Sequence, residues 1–227
     1  MKNAIKFNHI TDHNMKSIEN QIKEEYSKIF RKSDWELFKT GANYYLRTAA
    51  LLKMDDIKLT ENEKVVVFCN DNRLLFRNIQ KRLFIGIAGE LLLKAHFLKS
   101  GYIVNKPLDN EKYKDVLNIE NTIPDNELDN KDTFTFSKLF DGLHKLEKAK
   151  THNSRAKVFP SIIEGLRIAK VFRNKEAHVI TSTHQYNVID YTKIERCIVR
   201  IYQDWFNENL NFAISFEKNE VGKFEIK

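Results

Sequence analysis

Residues 83–98 read LFIGIAGELLLKAHFL and form the longest apolar stretch of the chain. The stretch is shorter than the roughly 20 apolar residues that span a bilayer, and it contains the charged residues Glu90 and Lys94. We therefore expect a buried helix, which the wider apolar pattern extends to about residues 72–99, with Gly101 as its C-terminal stop. Small side chains in its middle would let a second helix approach closely: Gly86, Ala88 and Gly89.

Further helices are predicted on both sides of this one. Apolar residues recur at helical spacing in four more segments, at about residues 34–54, 136–146, 160–173 and 191–210. Ser33 or Asp34 would cap the first of these helices, and Pro160 suits the first turn of the third. Glycine and proline are scarce, with 7 and 3 residues among 227, which argues for helices over a β-sandwich or barrel. We predict an all-α fold.

The chain is predicted to contain one helical domain, residues 31–211, with a smaller part at each end. Residues 1–30 form a polar leader with a short amphipathic helix, and residues 212–227 alternate with period two, which is typical of a β-hairpin. Within the domain, residues 105–132 are rich in Asn and Asp and are predicted to be a long loop insertion. Residues 65–69 fit a short buried strand or the start of a helix equally well.

The composition predicts no disulfide framework, metal centre or cofactor. Cys69 and Cys197 lie far apart in the sequence, so neither a disulfide network nor a zinc cluster is indicated. His9 and His13 have the spacing of a metal pair, but no third ligand can be identified. The first residues lack the apolar core of a signal peptide, so we expect a cytoplasmic protein that does not associate with membranes.

The net charge of +7 is concentrated in one segment. Residues 136–200 hold 13 Lys and Arg against 6 Asp and Glu, so this segment carries the whole excess. A polyanion would be attracted to it. The alternative is a solvated basic helix face, and the charge alone does not decide between the two.

Residues 173–178 read RNKEAH and combine side chains that suit phosphodiester chemistry on RNA. The guanidinium of Arg173 can hold a phosphate with two parallel N–H bonds. The imidazole of His178 titrates near neutral pH and can move a proton to or from a ribose hydroxyl. This chemistry needs no metal ion.

The spacing of these residues limits how they can meet. Arg173 continues the apolar stripe of Leu166 and Ala169, whereas His178 lies five residues further on, about 140° around an ideal helix. The two side chains therefore converge only if the helix ends or kinks between them, or if a second subunit supplies half of the site. In the alternative structural interpretation, Arg173 pairs with Glu176, and the helix dipole favours His178 at a C-terminus.

Three segments, in the right order, resemble the HEPN superfamily. Arg173-Asn174 followed by His178 resembles its R-x4-6-H signature, in which a polar residue often follows the arginine. Residues 89–101, GELLLKAHFLKSG, resemble the second core helix, where an E-L-x-L-K-A run ends near a glycine. Residues 136–146 resemble the short third helix. Together these matches cover roughly residues 34–210.

The resemblance implies a HEPN-like helical bundle that dimerises so that two Arg/His elements face each other. It also implies a metal-independent endoribonuclease, often a toxin or a phage-defence effector, whose partners are RNA, a second copy and an antitoxin or another defence protein. Arg173 would bind the scissile phosphate, His178 would act as acid and base or polarise the 2′-hydroxyl, and Asn174 would orient one of them. Glu90 would be a polar member of the site, unless it only pairs with Lys94 at i+4.

The chain departs from the HEPN pattern at Ile180. Toxins of this superfamily that are controlled by a nucleotidyltransferase antitoxin often have a tyrosine two residues after the histidine, so control by nucleotidylation is not expected here. Two other functions stay open from the sequence. One is a non-catalytic HEPN-like module that binds nucleotide or RNA or serves in assembly, and the other is a helical DNA-binding regulator, for which no recognition helix is evident.

Overall fold

The computed structural model describes residues 27–52, 58–59, 64–66, 72–109, 111, 123–150, 160–176, 185–212, 216–218 and 224–226. Five α-helices dominate this part of the chain: α1 (Trp35–Leu51), α2 (Asn72–Lys99), α3 (Phe136–Lys150), α4 (Pro160–Glu176) and α5 (Val188–Ile201). A 3-10 turn, Lys32–Asp34, precedes α1, and a π-helical segment, Tyr202–Phe206, continues α5. The prediction of a mainly helical chain is confirmed.

Helix α2 is the centre of the bundle. It packs against α1 and α4, makes a smaller contact with α3, and α4 in turn packs against α5. All seven residues from Leu92 to Leu98 are buried, which explains why this stretch is the most apolar of the sequence. The inward faces of α1 and α5 complete the same core with Phe38, Ala42, Leu46 and Ala49 and with Ile194, Cys197, Ile198 and Ile201.

Glycines set the closest approaches between the helices. A Cβ atom on Gly86 would lie 2.5 Å from the backbone nitrogen of Arg173, and one on Gly89 would lie 3.0 Å from the Cβ of Ala169. Because the residue number rises along α2 while it falls along α4, the two helices run antiparallel. The prediction that the small residues of α2 admit another helix is confirmed, and that helix is α4.

Gly101 ends α2 as predicted. Its φ angle of +92° lies in the left-handed region that favours glycine. The Gly101 N–H donates to the carbonyl of Leu98 at 2.9 Å, and the Tyr102 N–H donates to that of Phe97 at 3.0 Å. This pair of bonds is the Schellman motif, which satisfies carbonyls at the end of a helix.

Aromatic rings form a corner where the start of α1 meets the π-helical segment. Trp35 stacks on Phe206 with ring centroids 5.5 Å apart, and His96 stacks on Trp205 at 3.9 Å. The ammonium group of Lys99 lies 4.6 Å from the Trp35 ring and donates to the Trp205 carbonyl at 2.8 Å. These contacts fix the C-terminal end of the bundle against α1 and α2.

The interpretation of residues 105–132 as a loop is wrong at both ends. Strands β3 (Asn105–Pro107) and β4 (Leu128–Thr133) pair antiparallel, and a 3-10 turn, Asp125–Glu127, precedes β4. The fully buried Asn105 organises this hairpin, since its amide donates to the carbonyls of Lys28 and Asp129 and its oxygen accepts from the Phe30 N–H. A polar core residue of this kind gives no apolar period from which a strand could be predicted.

The leader helix predicted within residues 1–30 does not include residues 27–30. These residues belong to no helix, and the Lys28 N–H donates to the carbonyl of Asn130 in β4 at 2.8 Å. The other residues on which the helix was predicted, Ile18, Ile22 and Tyr26, lie outside the described residues.

Three short strands form a second sheet, most of which could not be predicted from the sequence. Its order is β1 (Lys58–Leu59), β2 (Lys64–Val66) and β5 (Gln185–Asn187), and both pairings are antiparallel. The sequence left residues 65–69 open between a strand and the start of a helix. The structure places Val65 and Val66 in strand β2. Strands β1 and β5 were not predicted, because two or three residues are too few to show a period.

The predicted C-terminal hairpin is confirmed. Strand β6 (Phe216–Lys218) pairs antiparallel with β7 (Phe224–Ile226). The final helix, predicted at 191–210, is α5 with its π-helical continuation, and its left-handed cap is Asn207 at φ 57°. No described helix has both the length and the apolar character needed to cross a membrane.

Candidate functional site

Arg173 lies in the last turn of α4, where this helix crosses α2. Leu166 and Ala169 precede it on the buried face of α4, with exposed fractions of 1% and 4%. The missing side chain of Gly86 lets the Arg173 backbone reach α2. The apolar stripe predicted from the sequence therefore places Arg173 at the contact of α4 with α2. The Arg173 side chain lies at the edge of this contact and is 39% exposed.

The partner of Arg173 is Glu90 of α2. The Arg173 Nε–H donates to Glu90 Oε2 at 3.1 Å, and the Lys94 ammonium lies 2.9 Å from Glu90 Oε1. Glu90 thus makes the i,i+4 pair with Lys94 that the sequence indicated and also contacts Arg173, while its membership of a functional site stays a prediction. In the alternative interpretation, Arg173 pairs with the carboxylate of Glu176. In the structure, the carboxylate that Arg173 contacts is that of Glu90.

Lys94 is held from a second side by the β3–β4 hairpin. Its ammonium group donates to the hydroxyl of Thr133, at the end of β4, at 2.9 Å. Lys94, Glu90 and Arg173 form a row of side chains whose exposure rises toward the arginine. The exposed fraction is 10% for Lys94, 13% for Glu90 and 39% for Arg173. Two cations share one carboxylate, so the row has a net positive charge that reaches solvent at the arginine.

Among the described residues, Arg173 has a single hydrogen-bond partner for its guanidinium. Glu90 takes the Nε–H, and no other described residue hydrogen-bonds this guanidinium. A guanidinium has five N–H donors, and the two Nη atoms can together hold two oxygens of a carboxylate or phosphate. The arrangement therefore suits an oxyanion at the solvent edge of the α2–α4 contact.

Asn174 follows Arg173 in α4 and is exposed, as is Lys175. These residues add a polar and a basic side chain to the same end of the helix. His178 and Ile180 lie outside the described residues. Their predicted roles, and the convergence of His178 with Arg173, stay predictions.

Two more side chains beside this contact were missed in the sequence. Arg82 lies one helical turn before Gly86, is 6% exposed, and has its guanidinium carbon 5.5 Å from the ring centroid of Phe172. The i,i+4 spacing of Arg82, Gly86 and Glu90 on one face of α2 could have revealed it. Thr133 could not be identified from the sequence, since its contact with Lys94 depends on how the β3–β4 hairpin packs against α2.

The described cysteine is unsuited to nucleophilic chemistry. Cys197 lies at the closest approach of α4 and α5, and its thiol donates to the Ile162 carbonyl at 3.3 Å. Burial raises the pKa of this thiol far above its usual range, so it stays protonated near neutral pH. Among the described residues, no group of three His, Cys, Asp or Glu side chains could hold a metal ion.

Comparisons with protein-family models, with curated proteins and with solved structures found no match to this chain. The HEPN resemblance therefore depends on the residues quoted from the sequence, and the function is argued from the geometry around Arg173.

Proposed function

We propose that this chain is a metal-independent endoribonuclease that acts as a homodimer in a toxin or antiviral-defence setting. The observation that carries the proposal is the state of Arg173. Its Nε–H is held by Glu90, its Nη edge has no described partner, and it is the most exposed member of a row with net positive charge. This is the arrangement that a phosphate-binding arginine requires.

The reaction would begin with attack by a ribose 2′-oxygen on the adjacent phosphorus. The new P–O2′ bond forms as the bond from phosphorus to the 5′-oxygen of the next nucleotide breaks, which leaves a 2′,3′-cyclic phosphate and a 5′-hydroxyl. His178 would take the 2′-hydroxyl proton or supply one to the leaving oxygen. The Nη donors of Arg173 would stabilise the additional negative charge, a role whose loss typically costs about 3 kcal/mol.

Dimerisation would bring two such sites together at the C-terminal end of α4. This end has an apolar residue, Val171, that is 49% exposed, next to the exposed Asn174 and Lys175. An exposed apolar residue beside a basic site supports contact with a second copy. Asn174 would orient the phosphate or the histidine across this contact.

The test is cleavage of total RNA in the presence of EDTA. We expect the wild type to yield fragments with cyclic phosphate and 5′-hydroxyl ends, and Arg173→Ala and His178→Ala to cleave at least about 100-fold more slowly. Arg167→Ala is the matched control, since Arg167 is an exposed arginine on another face of α4. A wild type without activity, or a His178→Ala variant that cleaves equally well, would rule out the nuclease.

A second function is favoured by the ion pair itself. Because Glu90 and Arg173 join α2 to α4, the arginine could be retained for structure in a HEPN-like module that binds RNA or nucleotide, or that serves in assembly. Such a module would bind RNA with an affinity that falls steeply with salt, and it would release no cleaved product. The same RNA incubation, read by gel shift and by end analysis, separates the two functions.

A further inference from the structure

Lys94 and Arg173 contact different oxygens of Glu90. A carboxylate can accept both Nε–H and Nη–H bonds from an arginine in a two-pronged pair. Here the Lys94 ammonium lies 2.9 Å from Oε1, and Arg173 Nε donates to Oε2 at 3.1 Å. The lysine thus competes for the oxygen that a two-pronged pair would need, and its positive charge disfavours the approach of a second cation to that oxygen.

The position of Lys94 is fixed from both sides. The ammonium group lies between Glu90 and the Thr133 hydroxyl, which it contacts at 2.9 Å, and only 10% of the side chain is exposed. Without this cation, Glu90 would have a single positive partner, and its attraction to Arg173 would favour the two-pronged pair. That pair would remove an Nη donor from the edge that faces solvent.

We propose that Lys94 is a positioning residue that restricts Glu90 to the Nε edge of Arg173 and so keeps the Nη edge available for a phosphate of RNA. The inference rests on the proposed function for its substrate. Thr133, which anchors the lysine, makes the β3–β4 hairpin part of the same arrangement. Lys94 acts through Glu90 and does not touch the substrate.

The first test reads the guanidinium directly and needs no RNA. The Nε–H signal of Arg173 is recorded by proton–nitrogen NMR and assigned by its loss in Arg173→Lys. In Lys94→Met we expect this signal to shift and the Nη protons, averaged by rotation in the wild type, to become resolved because a second bond to Glu90 restrains them. Lys106→Met, which removes an exposed lysine paired with Asp132 at 2.8 Å, is the matched control and should leave the signal unchanged.

The second test measures kcat and KM for RNA cleavage and the affinity for an RNA with 2′-fluoro groups, which cannot undergo the reaction. We expect Lys94→Met to lower kcat about tenfold and the affinity about threefold or more. Lys94→Arg, which keeps the cation, should stay within about threefold of the wild type in both. Thr133→Val keeps the side-chain shape and the charge of Lys94, and we expect a two- to fivefold loss of kcat.

These outcomes separate the inference from the proposed function. A wild type that cleaves no RNA would overturn the nuclease, while the NMR signal of Lys94→Met would still decide the role of Lys94. An unchanged Arg173 signal in a folded Lys94→Met, or equal activity of Lys94→Met and the wild type, would overturn the inference. If Lys94→Met fails to fold, the signal and kcat of Thr133→Val decide, and wild-type values for both would refute the positioning role.

Discussion

The buried charges of α2 are accommodated in different ways. Lys94 shares Glu90 with Arg173, and Arg82 lies against the ring of Phe172. Lys81 has no exposed surface, and burial lowers its pKa to about 7, an effect that the Glu195 carboxylate opposes only in part. A buried ammonium group of this kind makes the folded state sensitive to pH.

We predict that the free energy of unfolding rises with pH above about 7. The unfolded lysine keeps its proton up to its ordinary pKa of 10.5, whereas the folded one loses it from about pH 7, so the unfolded state binds more protons between these values. The slope from this residue is at most about 1.4 kcal/mol per pH unit. Urea denaturation at pH 7, 8 and 9 should show this rise in the wild type and a flatter dependence in Lys81→Met. Equal slopes for the two proteins would contradict the assignment to Lys81.

Among the elements, the contact of α2 with α4 was the most predictable and the short strands were the least. Gly86 and Gly89 indicate that another helix packs closely against α2. The apolar stripe through Leu166 and Ala169 indicates which face of α4 packs against α2. Glu90 was expected at the site from the resemblance, but its contact with Arg173 could not be predicted, and neither could the contact of Thr133 with Lys94, because each joins residues far apart in the sequence. The two-residue strand β1 is too short for any period.

The second prediction compares two glycines inside helices. Gly86→Ala should lower the free energy of unfolding by about 1–3 kcal/mol, because the new methyl group would overlap the Arg173 backbone at 2.5 Å. Gly41→Ala is the control, since its methyl group would meet only the Leu91 side chain at an ordinary 3.4 Å. Alanine favours a helix over glycine by about 1 kcal/mol, so Gly41→Ala should be neutral or stabilising. Urea denaturation measures both, and equal stability of the two variants would refute the close-packing argument.

At the scale of the whole molecule, the segment that carries the charge excess also contains Arg173. The net charge of +7 resides in residues 136–200, which include α4 and most of α5. Its concentration there could be read from the sequence, whereas the position of Arg173 on Glu90 required the fold. Arg173 and His178 would converge either because the helix ends between them or because a second copy supplies half of the site. We expect the second arrangement, in which each site combines the arginine of one copy with the histidine of the other.

The third prediction follows from this shared site. Arg173→Ala and His178→Ala should each be inactive alone, and their co-expression should restore about a quarter of the wild-type activity. Half of the random dimers are mixed, and each mixed dimer holds one complete site of two. Co-expression with different affinity tags and an RNA cleavage assay on the unfractionated mixture measure this quarter, and tandem purification of the mixed dimers should raise the activity to about half of the wild type. Mixed dimers without activity would show that the arginine and histidine of each site come from the same copy.

The aromatic corner at the end of α5 has a spectroscopic consequence. The chain has two tryptophans, and both belong to this corner, with Trp35 on Phe206 and Trp205 on His96. Intrinsic fluorescence therefore reports on the junction between α1 and the π-helical segment. Because Trp205 stacks on His96 at 3.9 Å, a local change in this stack would alter the emission, so a change in fluorescence would not by itself signal unfolding. Far-ultraviolet circular dichroism, which averages over all helices, is the appropriate companion signal in every denaturation experiment on this protein.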